Sequence, residues 1–257
     1  MIDPRAIIDS KAKLATNVTV GPWSIIGPDV EIGEGSWVGP HVIIKGPSRI
    51  GCGNKIFQFA SIGEDPQDKK YQTGDLTRLE IGDYNVIREF VTVNRGTVQG
   101  GGVTHLGDGN LLMAYVHIAH DCFVGNQVIF GNYAALAGHV VIDDYAILSA
   151  YSAIHQFCHV GCYSFIAPAT VIRKNVLPYI LVEGYKAKSR GLNIVGLTRH
   201  GFERPTLNDL QQAYKIIFSQ DLTITQAVEA LEKRSLVNPV VVHLIEALRQ
   251  ATRGIVR

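Results

Sequence analysis

His120, Gly138 and Gln156 stand 18 residues apart, and His117, Asp121, His139 and His155 crowd around them. If the chain returns on itself every 18 residues, these positions stack at about 4.8 Å per coil, with His120 beneath Gly138. A neutral imidazole, whose ordinary pKa is near 6.5, is the usual general base at neutral pH. A backbone N–H on a residue without a side chain is an unobstructed donor to an oxyanion. Asp121 could orient the His120 ring or take a ligand hydroxyl, and His117, His139 and His155 would line the same cleft. The rival is a metal site, because clustered histidines bind zinc. Against it, no carboxylate or thiol completes an obvious set, and the histidines are spread over two coils.

A six-residue beat positions these groups. Ile118, Val124, Phe130, Leu136 and Ile142 are spaced by six, and Cys122, Val128, Ala134 and Val140 follow four residues after the first four. Neither the 3.6 period of a helix nor strict alternation gives this pattern, which is that of a parallel β-helix. The beat holds from Ile8 to Ile62, resumes at Ile81, and runs from Leu106 to Ile172. Three hexads make one triangular coil, and a repeat that cannot bury its own apolar face must be long. Residues 64–78 and 94–105 lack the beat and are read as loops leaving the coil, where binding residues tend to lie. Gly100-Gly101-Gly102 hints at a phosphate cradle, but no helix signal follows it.

Past Arg173 the beat stops. Leu177-Pro178-Tyr179 reads as a linker and 193–202 as a short helix or turn. Helices are expected from Pro205 to about Gln220, from a Thr223/Gln226 capping box, and from Asn238-Pro239 to about Thr252. The expected division is a coil domain over 1–172 and a linker with a helical domain over 173–257. Such a tail caps the open end of a solenoid.

Composition narrows the partners. The net charge of +1 argues against a polyanion-binding protein. Residues 1–172 carry 11 Lys+Arg and 16 Asp+Glu, and residues 173–257 carry 13 and 7, so a basic tail on an acidic body suits an acidic partner. The N-terminus M-I-D-P-R has no signal-peptide pattern and no apolar run has membrane-spanning length, which predicts a cytoplasmic protein. Cys122 and Cys158 would lie two coils apart, about 9.6 Å, too far for a disulfide. They read as small core residues in a reducing cytoplasm.

Several motifs together carry a resemblance over essentially the whole length. They are I-F-Q-F-A-S-I-G (56–63), Q-D-K-K-Y (67–71), R-G-T-V-Q-G-G-G (95–102), N-L-L-M (110–113), H-I-A-H-D-C (117–122), L-A-G-H-V (136–140), H-Q-F-C (155–158) and N-I-V-G-L (193–197). On these the chain resembles the acyl-[acyl-carrier-protein]:UDP-N-acetylglucosamine O-acyltransferases, which begin lipid A synthesis. The resemblance implies a left-handed parallel β-helix with a C-terminal helical domain, in a homotrimer with active sites between subunits, an exception to right-handed crossovers. It implies that His120 takes a proton from the sugar 3-hydroxyl as that oxygen attacks a 3-hydroxyacyl carrier-protein thioester, with the Gly138 N–H holding the oxyanion. Asp68, Lys70, His117, His139, His155 and Gln156 match positions that bind nucleotide sugar or acyl donor, and Asn193 and Arg199 positions near the uridine and phosphates. The acidic carrier suits the basic tail. No cofactor or metal is implied.

The chain departs from the family at three places. Val195 and His200 replace an acidic and a second basic residue of many members, which leaves the nucleotide contacts there open. Pro168 replaces a glycine where side-chain size sets acyl length, predicting a shortened or redirected channel. Readings that stay open are a 3-amino nucleotide sugar or acyl-CoA as substrate, a γ-carbonic-anhydrase-like metalloenzyme on the same scaffold, and a purely structural solenoid.

Overall fold

In a computed structural model the described residues are 1–219, 221–233 and 238–257. Gln220, the expected end of the first long helix, lies outside them. The hexads fold as two- to four-residue strands joined by tight corners, and the strands form three parallel sheets of nine, eight and ten strands, the faces of a triangular prism. Among the described residues only the last strand pair, Ile180–Glu183 with Lys188–Leu192, is antiparallel. The beat residues point inward. Ile26, Ile44, Ile62, Val93, Ile118, Leu136 and Ile172 stack in one column with no exposed surface. Burial of that apolar row is the main drive for coiling, since no single coil has another face to pack on.

The corners solve a polar problem. A buried turn leaves backbone N–H groups that the ladder does not use. Ser36, Asn54, Asn85 and Asn110 are buried at one such place. Asn85 N and Nδ2 donate to Asn54 Oδ1 at 2.9 and 3.0 Å, Asn110 N donates to Asn85 Oδ1 at 2.8 Å, and Val128 N donates to Asn110 Oδ1 at 2.7 Å. Asn85→Ala orphans the Asn110 N–H and opens a gap, so we expect a loss of about 2–3 kcal/mol, seen as a lower melting temperature. An unchanged melting temperature would remove this ladder as a source of stability.

The register locates the two ejected loops. Along the first sheet, Ile7, Ile25, Ile43 and Ser61 pair at steps of 18, then Ser61 pairs with Thr92 and Thr92 with His117. One coil is therefore 31 residues long and the next 25. The insertions leave after strands Ser61–Glu64 and Thr92–Asn94, at the corner that His120 and Asp121 occupy two coils and one coil later. The loops thus spring from the edge that carries the candidate chemistry.

The parallel ladder does not end at residue 172. Ile180 and Val182 are buried and continue the ten-stranded sheet by pairing beside Phe165–Ile166. Helix α1 (Ile194–Arg199), α2 (Arg204–Ser219), α3 (Ile224–Glu232) and α4 (Pro239–Gln250) follow. Thr223 and Gln226 form the expected capping box, and Asn238 caps α4 with Pro239 in its first turn. No helix among the described residues is long and apolar enough to cross a membrane.

One feature was not read from the sequence. At the opposite edge of the first sheet, His41, Phe59, Phe90, Tyr115, Tyr133 and Tyr151 stack ring on ring at 4.7–5.4 Å, and all five Phe and Tyr rings are exposed. Each sits at a positive-φ corner position repeated in successive coils.

Candidate active site

His120 and Asp121 form the corner after strand His117–Ile118. Asp121 has a positive φ of 59°, the same left-handed corner conformation that His139 and Phe157 adopt one and two coils on. Asp tolerates it because its short polar side chain bonds locally. The turn aims the Asp121 carboxylate back at its neighbour, so Oδ2 lies 2.7 Å from His120 Nδ1 and 3.7 Å from His139 Nδ1.

The second ejected loop locks that carboxylate. Thr97 N donates to Oδ1 at 2.7 Å and Thr97 Oγ1 donates to Oδ2 at 2.6 Å. A Cβ on Gly100 would fall 2.1 Å from the Asp121 carboxyl carbon, so glycine is needed where the loop lies on the acid. The Asp121 side chain is wholly buried. Of the two roles weighed for it, ring orientation fits, because its oxygens are already taken and closed off from a ligand hydroxyl. The glycine run is therefore a clamp on Asp121 rather than a phosphate cradle. Thr97 and Gly100 were missed as site residues, and only their place in R-G-T-V-Q-G-G-G hinted at them.

With Nδ1 turned to the carboxylate, His120 presents Nε2 as its basic atom. The ring lies against Gly138, where an added Cβ would meet His120 Cε1 at 2.6 Å and Nε2 at 2.8 Å. Stacking at 18 residues thus brings the expected pair together. His139 stands edge-on to His120 at 5.2 Å and stacks on Phe157 at 4.4 Å.

His117 joins from the strand, its Nδ1 2.7 Å from Thr92 Oγ1. Burial, and secondarily the nearby His120, hold its pKa below the ordinary 6.5. The unfolded chain then binds a proton at His117 that the folded chain resists, so this contribution to stability is present above about pH 6.5 and is lost as the pH falls below it. His117→Gln is expected to flatten that part of the stability curve. An unchanged slope in thermal melts across pH 5–7 would place the titration elsewhere.

One expectation is corrected. A carboxylate does complete a histidine set, since ligand atoms of His120, Asp121 and His139 lie within 4.8 Å of one another. The Thr97 donors and the His120 ring already occupy the Asp121 oxygens, which makes this a hydrogen-bonded dyad with a neighbour rather than an open ligand set. Cys122 is no nucleophile: it is buried, donates to Ala137 O at 3.2 Å, and burial pushes its thiol pKa up to about 12.

His155 and Gln156 are exposed at the same corner one coil above Gly138. Asp68 and Lys70 sit on the first loop, where Lys70 N donates to Asp68 Oδ1 at 2.9 Å. That loop is anchored by Arg95, also missed, whose buried guanidinium donates to Gly63 O at 2.8 Å and to Tyr71 Oη at 3.0 Å and pairs with Asp65. Asn193 caps α1 by accepting from Gly196 N and donates to Tyr163 O at 3.0 Å. Arg199 and His200 are exposed, the latter edge-on to Tyr145 and Tyr163. Pro168 is exposed at the opposite edge of the His120 sheet, beside the aromatic column.

The prism, its dyad and its helical tail define a β-helical acyltransferase, and comparison with known proteins specifies which. Residues 175–256 match the family described as UDP-N-acetylglucosamine O-acyltransferase, domain 2. Acyl-[acyl-carrier-protein]–UDP-N-acetylglucosamine O-acyltransferases of Stutzerimonas stutzeri and Pseudomonas entomophila are 51% and 53% identical, each aligned over 100% of this chain and 99% of the relative. The solved enzyme of Acinetobacter baumannii superposes with a TM-score of 0.97 at 47% identity over 100% of this chain and 99% of that one. The Arabidopsis UDP-N-acetylglucosamine acyltransferase gives 0.90 at 34% over the whole of both. The chain belongs to the acyl-[acyl-carrier-protein]–UDP-N-acetylglucosamine O-acyltransferase family, is an acyltransferase, and has the family's left-handed parallel β-helix.

Proposed function

We propose that the protein transfers a 3-hydroxyacyl chain from acyl carrier protein to the 3-hydroxyl of UDP-N-acetylglucosamine, the first step of lipid A synthesis, in the cytoplasm. The observation that carries the chemistry is the Asp121–His120 pair at 2.7 Å with its ring lying on Gly138. His120 Nε2 takes the hydroxyl proton as the sugar oxygen attacks the thioester carbonyl. The Gly138 N–H donates to the oxyanion. Collapse then breaks the C–S bond, and the imidazolium returns its proton to the leaving sulfur. Asp121 keeps the ring in the tautomer that accepts at Nε2 and stabilises the cation between the two transfers.

Asp68 and Lys70, with Asn193 and Arg199, are assigned to the substrates, and Pro168 to acyl length. Pro168 and Asn193 belong to other corners of the prism than His120, which supports a homotrimer in which a second copy completes each site. The exposed aromatic column beside Pro168 is apolar surface of the kind that copies of a chain cover.

The test is mass spectrometry of products from purified protein, UDP-N-acetylglucosamine and 3-hydroxyacyl carrier proteins of several lengths, with chelator present. A 3-O-acylated nucleotide sugar is expected, with chains shorter than a glycine at position 168 permits. Turnover only with a 3-amino sugar, only with acyl-CoA, or only without chelator would replace this reading.

A further inference from the structure

The two oxygens of the Asp121 carboxylate are loaded unequally, and one hydroxyl makes the difference. Oδ1 accepts from Thr97 N at 2.7 Å, whereas Oδ2 accepts from Thr97 Oγ1 at 2.6 Å and lies 2.7 Å from His120 Nδ1. The hydroxyl and the imidazole thus draw on the same oxygen. Thr97 Oγ1 itself accepts from Gly100 N at 3.1 Å, which leaves its own proton for the carboxylate. The Thr97 carbonyl accepts from Gly102 N at 2.8 Å, so the loop presents the residue in one pose. Thr97 is 2% exposed and the Asp121 side chain not at all, so these bonds lie out of solvent, where each counts for more.

A bare buried carboxylate against an imidazole favours the imidazolium, and a cation cannot take the proton of a hydroxyl. Every further donor on that carboxylate lowers the charge left for the ring. We infer that Thr97 is a positioning residue of the reaction: its hydroxyl fixes the Asp121 carboxylate and moderates its charge, so that His120 is held in place without being locked as its own cation. The inference rests on the proposed base catalysis by His120 and adds what sets that base. His120 is faced by Asp121 from its own corner, by His117 from the strand and by His139 edge-on from the coil above. His117 is engaged by Thr92 and His139 stacks on Phe157, so neither depends on Thr97. Two residues before Thr97, Arg95 seats the loop that carries Asp68 and Lys70 by donating to Gly63 O at 2.8 Å and Tyr71 Oη at 3.0 Å. A change at Thr97 that leaves Arg95 in place therefore touches the base and spares the substrate loop.

The experiment records the pH dependence of kcat/KM for the carrier-dependent reaction in the wild type, Thr97→Val and Thr97→Ser, with melting temperatures alongside. Valine keeps the shape and the backbone N–H but not the hydroxyl, and serine restores the hydroxyl. In Thr97→Val the imidazolium meets a carboxylate one donor short and keeps its proton to higher pH, so the acid limb should move up by about half to one pH unit. With Asp121 held by one bond fewer, kcat should fall about tenfold at the optimum, while KM for the nucleotide sugar stays within about twofold. Thr97→Ser should return the limb to its wild-type position and kcat to within about threefold. A Thr97→Val limb in the wild-type position, whatever its kcat or melting temperature, would reduce Thr97 to a support of the loop and overturn the inference. So would a shift to lower pH, or one that Thr97→Ser fails to reverse. A raised KM for the nucleotide sugar with kcat unchanged would overturn it by giving Thr97 to the substrate loop. Absence of wild-type turnover with any carrier donor would instead overturn the proposed reaction, and this inference with it.

Discussion

His120→Ala is expected to lower kcat by about 10³–10⁴-fold while leaving the melting temperature and oligomeric state unchanged. The size follows from what the ring does twice. It removes a proton from an alcohol that is almost wholly protonated at neutral pH, and it returns that proton to sulfur, so its loss touches both addition and collapse. No neighbour can take over. His139 stacks on Phe157 beside the dyad rather than against Gly138, and His117 has its Nδ1 engaged by Thr92. The fold should not register the change, because the side chain lies outside the apolar column and its one strong partner, Asp121, keeps both Thr97 donors. Asp121→Asn should share most of the loss, since an amide that donates at Nδ1 would invert the tautomer. A His120→Ala enzyme retaining a tenth or more of wild-type kcat would remove the assigned base.

The beat of Ile8 through Ile172 made the prism legible, because a hexad repeat admits few structures that bury every sixth residue, and stacking at 18 then set His120 beneath Gly138. Helix starts at Thr223 and Asn238 were legible for the same local reason: their side chains cap the turns they open. The clamp was not. Thr97 reaches Asp121 across 24 residues and a loop without periodicity, and no spacing rule links them. The continuation of the sheet through Ile180 and Val182 was hidden by a coil two residues short, which breaks the beat while the strand still alternates inward and outward. The set of His120, Asp121 and His139 escaped for a simpler reason. The spacing offers Asp121 only as a partner for the adjacent ring, and its reach up to the next coil depends on a left-handed corner that composition does not announce. Candidates such as Asp68, Asn193 and Pro168 were legible only through resemblance, and one chain sets them at different corners.

Gly138→Ala is the sharper test of the geometry, because it adds one methyl group and no chemistry. Gly138 is not among the residues with positive φ, so alanine meets no backbone strain there and should even lower the entropy of the unfolded chain slightly. The damage is local. The new Cβ would stand 2.6 Å from His120 Cε1, closer than atoms tolerate, and its three nearest atoms all belong to the imidazole, which must yield. Yielding breaks the 2.7 Å contact with Asp121 or turns Nε2 away from the N–H that must serve the same tetrahedral centre. Displacing the base from its oxyanion donor removes a contribution worth about 10²–10³-fold and misplaces the proton transfer besides, so kcat should fall by about 10³-fold with the melting temperature within a few degrees of wild type. Restoring space from the other side discriminates further: in a His120→Ala background the same substitution should cost almost nothing more, because the two residues act as one unit. Full activity in Gly138→Ala would mean that the ring sits elsewhere during turnover, and additive losses in the double variant would mean that the two residues serve separate steps.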